Sequence, residues 1–207
     1  LHDALPISEW FGQFDVPIWI DPGNHDMPYG NLWERFRNPY RRLNQLRDSV
    51  ATPTFETEDL VLIPLKSTVR AQTRWPWSDG VVTRSALTQT LEALSAYSQD
   101  RRTIIVTAHH PLHGPKPGGS SKTIGGLSAF AELANAGADA ILSGHIHNPF
   151  NEVRVERNAS AQVIGAGTLS TRLRHGAPPT YNVLACDIGV KGTIAVDRRD
   201  LPDLIAR

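Results

Sequence analysis

Asp139-Ala140-Ile141-Leu142-Ser143-Gly144-His145-Ile146-His147 is a short apolar run that passes straight into two histidines two residues apart. The run reads as a buried strand, and Gly144 lets the backbone turn at its end. The same order of events occurs twice more. Thr103-Ile-Ile-Val-Thr107 leads into His109-His110-Pro111, and Val16-Pro-Ile-Trp-Ile20 leads into Gly23-Asn24-His25-Asp26. Leu60-Val-Leu-Ile-Pro-Leu65 is a fourth strand candidate. In an open α/β sheet the carboxyl ends of the strands line one crevice, so three segments far apart in sequence are able to meet there. Five of the eight histidines lie in these three segments.

Helical stretches separate the strands. Thr83 can cap a helix running to about Gln99, with Leu87, Leu91, Leu94 and Tyr97 on one face. Leu127 to Ala136 repeats that pattern before Gly137 ends it. Asn31 to Asp48 reads as helix broken at Asn38-Pro39, its many arginines forming a solvated face. Alternation of strand and helix implies a largely parallel sheet. After Phe150 the pattern changes to short strands, Glu152 to Arg157, Ala161 to Ala166, Tyr181 to Ile188 and Thr193 to Arg198, as a second, antiparallel sheet requires. The fold class is therefore α/β, with two sheets between helices.

The chain has 207 residues, 40% of them hydrophobic, which suits one domain with a sizeable core. Twenty-one basic residues balance twenty-one acidic ones, so charge gives no case for a nucleic-acid or membrane partner, and neither is expected. Cys186 is the only cysteine, which excludes an internal disulfide and fits a reducing cytoplasm. No stretch approaches the roughly 20 apolar residues that span a bilayer.

Leu1-His-Asp-Ala-Leu-Pro-Ile7 has neither a signal-peptide pattern nor a capped helix start. The codons CTA CAC GAC GCT CTT CCG ATC encode it, and that string resembles the end of a common short-read sequencing adapter. Residues 1–7 are thus expected to be an assembly artefact, and residues 8–207 a single domain lacking its beginning.

Singly, each histidine segment has a plainer explanation. Asn-His-Asp forms turns, and a His-His pair after a strand can be one core and one surface imidazole. Together they point to a metal site. Gly23-Asn-His-Asp26, Val106-Thr-Ala-His-His-Pro111 and Gly144-His-Ile-His147 resemble, in order, the third, fourth and fifth signature motifs of the calcineurin-like metallophosphoesterases. The likeness extends from residue 9 to about 200. Gly165-Ala-Gly-Thr-Leu-Ser-Thr-Arg-Leu-Arg174 brings the chain nearest to bacterial members similar to cyclic-nucleotide phosphodiesterases.

The resemblance implies an α/β/β/α sandwich, missing its first strands, and a phosphoester hydrolase acting on a small-molecule substrate. It makes Asn24, His109 and His145 ligands of one divalent metal and His147 a ligand of a second, the metals being manganese, iron or zinc. A hydroxide bridging the two would attack phosphorus in line. His25 would face the substrate, oriented by Asp26. His110 either touches substrate or packs beneath the site.

The family's Asp-x-His and Gly-Asp motifs, which would complete the first site and bridge both, do not occur in residues 1–22. The chain is accordingly expected to hold at most one well-ligated metal and to be impaired or inactive. Arg172 is a candidate phosphate contact, with Arg174, Lys116 and Lys122 weaker ones, and Trp75 and Trp77 either floor a base pocket or seal a core edge. A non-catalytic interaction scaffold and a nuclease on the same fold are the competing functions.

Overall fold

The computed structural model describes residues 4–114, 122–169, 178–186, 192 and 194–201. Six strands form the main sheet: β1 (Phe55–Glu56), β2 (Leu60–Pro64), β3 (Thr103–Ala108), β4 (Ala140–Ser143), β5 (Phe150–Glu156) and β6 (Ala159–Gly165), in the spatial order β1-β2-β3-β4-β6-β5. The pairs β2–β3, β3–β4 and β4–β6 are parallel, while β1 and β5 are antiparallel edges. β7 (Thr180–Cys186) and β8 (Ile194–Asp200) make a separate antiparallel pair.

Side-chain alternation sorts the core into two layers. Ile104, Val106 and Ala108 of β3 pack with Val61, Ile63, Ile141 and Val163 against α4 (Arg84–Ser95) and α5 (Gly126–Asn135), through Leu87, Leu94, Phe130 and Leu133. Ile105, Ala140 and Ile164 point the other way, onto Ile194, Leu184 and Val196 of the second sheet. β3, buried on both faces along its whole length, has the continuous apolar composition that a central parallel strand needs. The architecture is thus α/β, two sheets face to face with α4 and α5 on the outer face of the first.

Helix ends follow their caps. Thr83 Oγ1 accepts the Ala86 N–H, starting α4 where expected, but the helix stops at Ser95 and runs out in turns. Asn31 Oδ1 accepts the Glu34 N–H at the start of α2 (Leu32–Arg37), and the chain breaks at Asn38-Pro39 before α3 (Arg41–Val50).

Four expectations differ. Val16 to Ile20 is irregular chain rather than strand: Pro17 and Pro22 remove backbone donors, and the segment is tied through Ile18 O, which accepts Thr52 N–H at 2.8 Å. The β5–β6 hairpin extends the first sheet instead of the second, because β6 is buried along most of both faces and pairs in parallel with β4. A helix, α1 (Ala4–Phe11), stands where no capped start is legible; Trp10 and Phe14, one turn apart, meet edge to face at 4.9 Å. Arg35 leaves the solvated face altogether and is 1% exposed.

Candidate metal centre

Strand register assembles the site. Ala108 pairs with Ser143, so His109 and Gly144 leave their strands side by side, and Gly144 N–H donates to His109 O at 3.1 Å. That step places His145 next to His109, with ring centroids 5.2 Å apart. The third segment arrives as a single 3-10 turn, Asn24–Asp26, closed by Asp26 N–H to Gly23 O. Asp26 Oδ2 in turn accepts the Gly23 N–H at 2.7 Å. Gly23 lies hard against His109: a Cβ there would stand 3.0 Å from Cε1. A side chain at that position would push the turn off the imidazole.

Three ligand-type atoms converge. Asn24 Oδ1 lies 2.8 Å from His109 Nε2 and 3.2 Å from His145 Nδ1. Ligands held about 2 Å from one cation stand roughly 3 to 4 Å apart, so these two nitrogens and one oxygen fit a single divalent ion with a few tenths of an ångström of opening. Asn24 is 3% exposed and both histidines are half-buried. Burial, followed by the neighbouring imidazoles of His110, His145, His25 and His147, pushes His109 down to about 3. It is therefore neutral near pH 7, with a lone pair available for a metal.

His110 completes a cluster of three imidazoles whose nitrogens lie within 4.8 Å of one another. Its own bonding assigns it a different part. Nε2 lies 2.9 Å from the Ser78 carbonyl, which only accepts, so Nε2 carries the proton. Nδ1 then accepts from Ser67 Oγ at 2.9 Å, and that same oxygen takes the His110 backbone N–H. Both ring nitrogens are spent, and burial pushes the group down further toward the neutral form. His110 is buried, and it also lines the cleft wall.

His145 and His147 both adopt left-handed backbone, at φ 66 and 57. Such conformations in non-glycine residues cost of order 1–3 kcal/mol each and gather at functional sites. His147 lines the same cleft, of about 610 Å³, as Asn24, His25, His109 and His145. His25 is exposed at the turn's outer edge, its ring 6.1 Å from Tyr29. Asp26, exposed overall but with its carboxyl tucked against the turn, has its pKa raised by burial, against the pull of Gly23 N–H and His25.

Among the described residues the grouped donors include no carboxylate. Arg172, Arg174 and Lys116 lie outside the described residues; Lys122 is on the cleft wall. Trp75 is 79% exposed, and Trp77 stacks on Arg35 rather than flooring the cleft. Sequence patterns also passed over Tyr29, whose hydroxyl lies 3.3 Å from Asn24 Nδ2, and the serines that hold His110. An aromatic a few residues after an Asn-His-Asp turn is a weak signal, and lone serines are none.

Among the described residues, no helix is long and apolar enough to cross a membrane. No curated protein matches the chain. The family model for the calcineurin-like phosphoesterases matches residues 4–149, a span that takes in all three histidine segments. With that match over most of its length, the chain belongs to the calcineurin-like phosphoesterase family, whose members hydrolyse phosphoesters with bound divalent metal ions.

Proposed function

We propose that the chain carries one half of a two-metal phosphodiesterase centre, with Asn24, His109 and His145 holding one cation and His147 contributing to a second. The observation that carries this is the meeting of Asn24 Oδ1 with His109 Nε2 and His145 Nδ1 at 2.8 and 3.2 Å. When bound, the cations would polarise a phosphoryl oxygen and supply an activated water for in-line attack.

The chain's own residues do the rest. The Asp26–Gly23 bond fixes the turn that presents His25 to the cleft, where a protonated imidazole would donate to a phosphoryl oxygen or to the departing alkoxide. Cyclic-nucleotide-like phosphodiesters are the substrates favoured, on the likeness of the Gly165 to Arg174 segment; the balanced charge favours a small molecule over nucleic acid, and the lone Cys186 suits a reducing cytoplasm. Substitution at Arg172 would test its part in binding phosphate. With no carboxylate in the donor group found among the described residues, the chain by itself is proposed to turn over slowly or not at all.

The test is a calorimetric titration with Mn²⁺ alongside hydrolysis of cyclic AMP and bis(p-nitrophenyl) phosphate. Saturable binding that His109→Ala abolishes, with slow or absent turnover, is the expected result. Absence of binding would remove the metal centre; rapid turnover by the chain would remove the claim that it is impaired.

A further inference from the structure

Asn24 ends in one atom that can hold a cation, Oδ1, and one that cannot, Nδ2, and half a turn of the amide exchanges them. Buried as it is, the amide is oriented by protein groups rather than by bulk water. Oδ1 faces the two imidazole nitrogens, while Nδ2 donates to Tyr29 Oη at 3.3 Å. The opposite orientation has its own attraction, since ring nitrogens with lone pairs turned inward would accept from Nδ2–H and close the site to a cation.

Tyr29 is half exposed to the cleft, yet its ring is held. The Arg35 guanidinium lies 5.4 Å from the Tyr29 ring centroid and 5.4 Å from that of Trp77, between the two aromatics. Arg35 is fixed by Nε donating to Arg70 O and Nη1 donating to Pro28 O at 3.2 Å. The stack thus ties the loop carrying Trp77, the helix carrying Arg35 and the turn carrying Asn24 to one point.

We propose that Tyr29 is a positioning residue for Asn24: its hydroxyl oxygen takes the Nδ2–H and so commits Oδ1 to the metal, with Arg35 and Trp77 holding the phenol in place. This rests on the reading of Asn24 as a ligand. Once Oδ1 is ligated the amide is polarised, Nδ2–H becomes a stronger donor, and the bond to Tyr29 strengthens with it, as outer partners of metal ligands do.

Tyr29→Phe retains the ring on Arg35 and removes only the acceptor, and calorimetric titration with Mn²⁺ reads the consequence. Affinity is expected to fall about tenfold, with the far-ultraviolet circular dichroism unchanged. In an Asn24→Asp background both ends of the side chain are oxygens, so adding Tyr29→Phe should weaken binding no further. Unchanged affinity in the parent background, or an equal loss in both, overturns the proposal while leaving the metal centre standing. If Asn24→Ala leaves Mn²⁺ affinity unaltered, or the unsubstituted chain binds none, Asn24 is not a ligand and the inference falls with that reading.

Discussion

His109 Nε2 and Asn24 Oδ1 lie 2.8 Å apart although 85 residues separate them in sequence. Nothing local brings them together. The sheet register sets one and the Gly23–Asp26 turn sets the other, so their contact reports whether the whole scaffold is in place. Burial of neutral, hydrogen-bonding groups at this point costs desolvation, a cost that a bound cation would offset.

Gly80→Ala should damage the site without touching a ligand. Its Cβ would stand 2.7 Å from His110 Cβ and Cγ and 2.8 Å from Thr123 Oγ1, so His110 must move and its bonds to Ser67 and Ser78 must loosen. A loss of about 1–3 kcal/mol in urea unfolding is expected, together with weaker Mn²⁺ binding. Unaltered stability would show that the His110 support is not rigid.

His25→Ala separates binding from chemistry. His25 is outside the group of converging donors, so Mn²⁺ affinity should stay within about twofold, while turnover of bis(p-nitrophenyl) phosphate falls about 10²-fold or more. A matching fall in metal affinity would make His25 a ligand or a structural residue instead.

Much of the site is legible in the sequence because its donors come in contiguous segments at strand ends, where a glycine and two or three polar residues stand out against apolar runs. The supporting shell is not. Arg35 reads as one more arginine on a basic helix, and only tertiary packing shows it buried between Tyr29 and Trp77. The β5–β6 hairpin has the alternation of any antiparallel strand, and its choice of sheet depends on β4 offering a free parallel edge. Val16 to Ile20 is apolar enough for a strand, but Pro17 lies within it and Pro22 follows it, and it pairs with no strand among the described residues.

Arg35→Ala tests how much that hidden shell contributes. The substitution leaves the Arg70 and Pro28 carbonyls without their donor and opens a gap between two rings. Unfolding free energy should fall by about 2–4 kcal/mol, measured by urea denaturation at neutral pH. A change within about 0.5 kcal/mol, as at an ordinary surface position, would contradict the burial.

Asp21 gives a pH prediction with a definite sign. Burial raises its carboxyl above the ordinary value of 3.8, outweighing the bond from Trp19 Nε1 and the charge of Arg47. A carboxyl whose folded pKa is raised binds its proton more tightly in the folded state. Its ionisation therefore costs stability above the folded value, and that cost vanishes as pH falls below 3.8. Asp21→Asn should stabilise the protein at pH 7 and lose its advantage toward pH 4, followed by urea midpoints across that range. An equal midpoint shift at both ends would assign the effect to packing.

The most direct measurement is an anomalous-difference map from crystals of the chain soaked in Mn²⁺. A peak about 2 Å from each of Asn24 Oδ1, His109 Nε2 and His145 Nδ1 is the predicted result. Well-ordered side chains in the same positions at saturating Mn²⁺, with no peak among them, would contradict the assignment of a metal centre to this cluster.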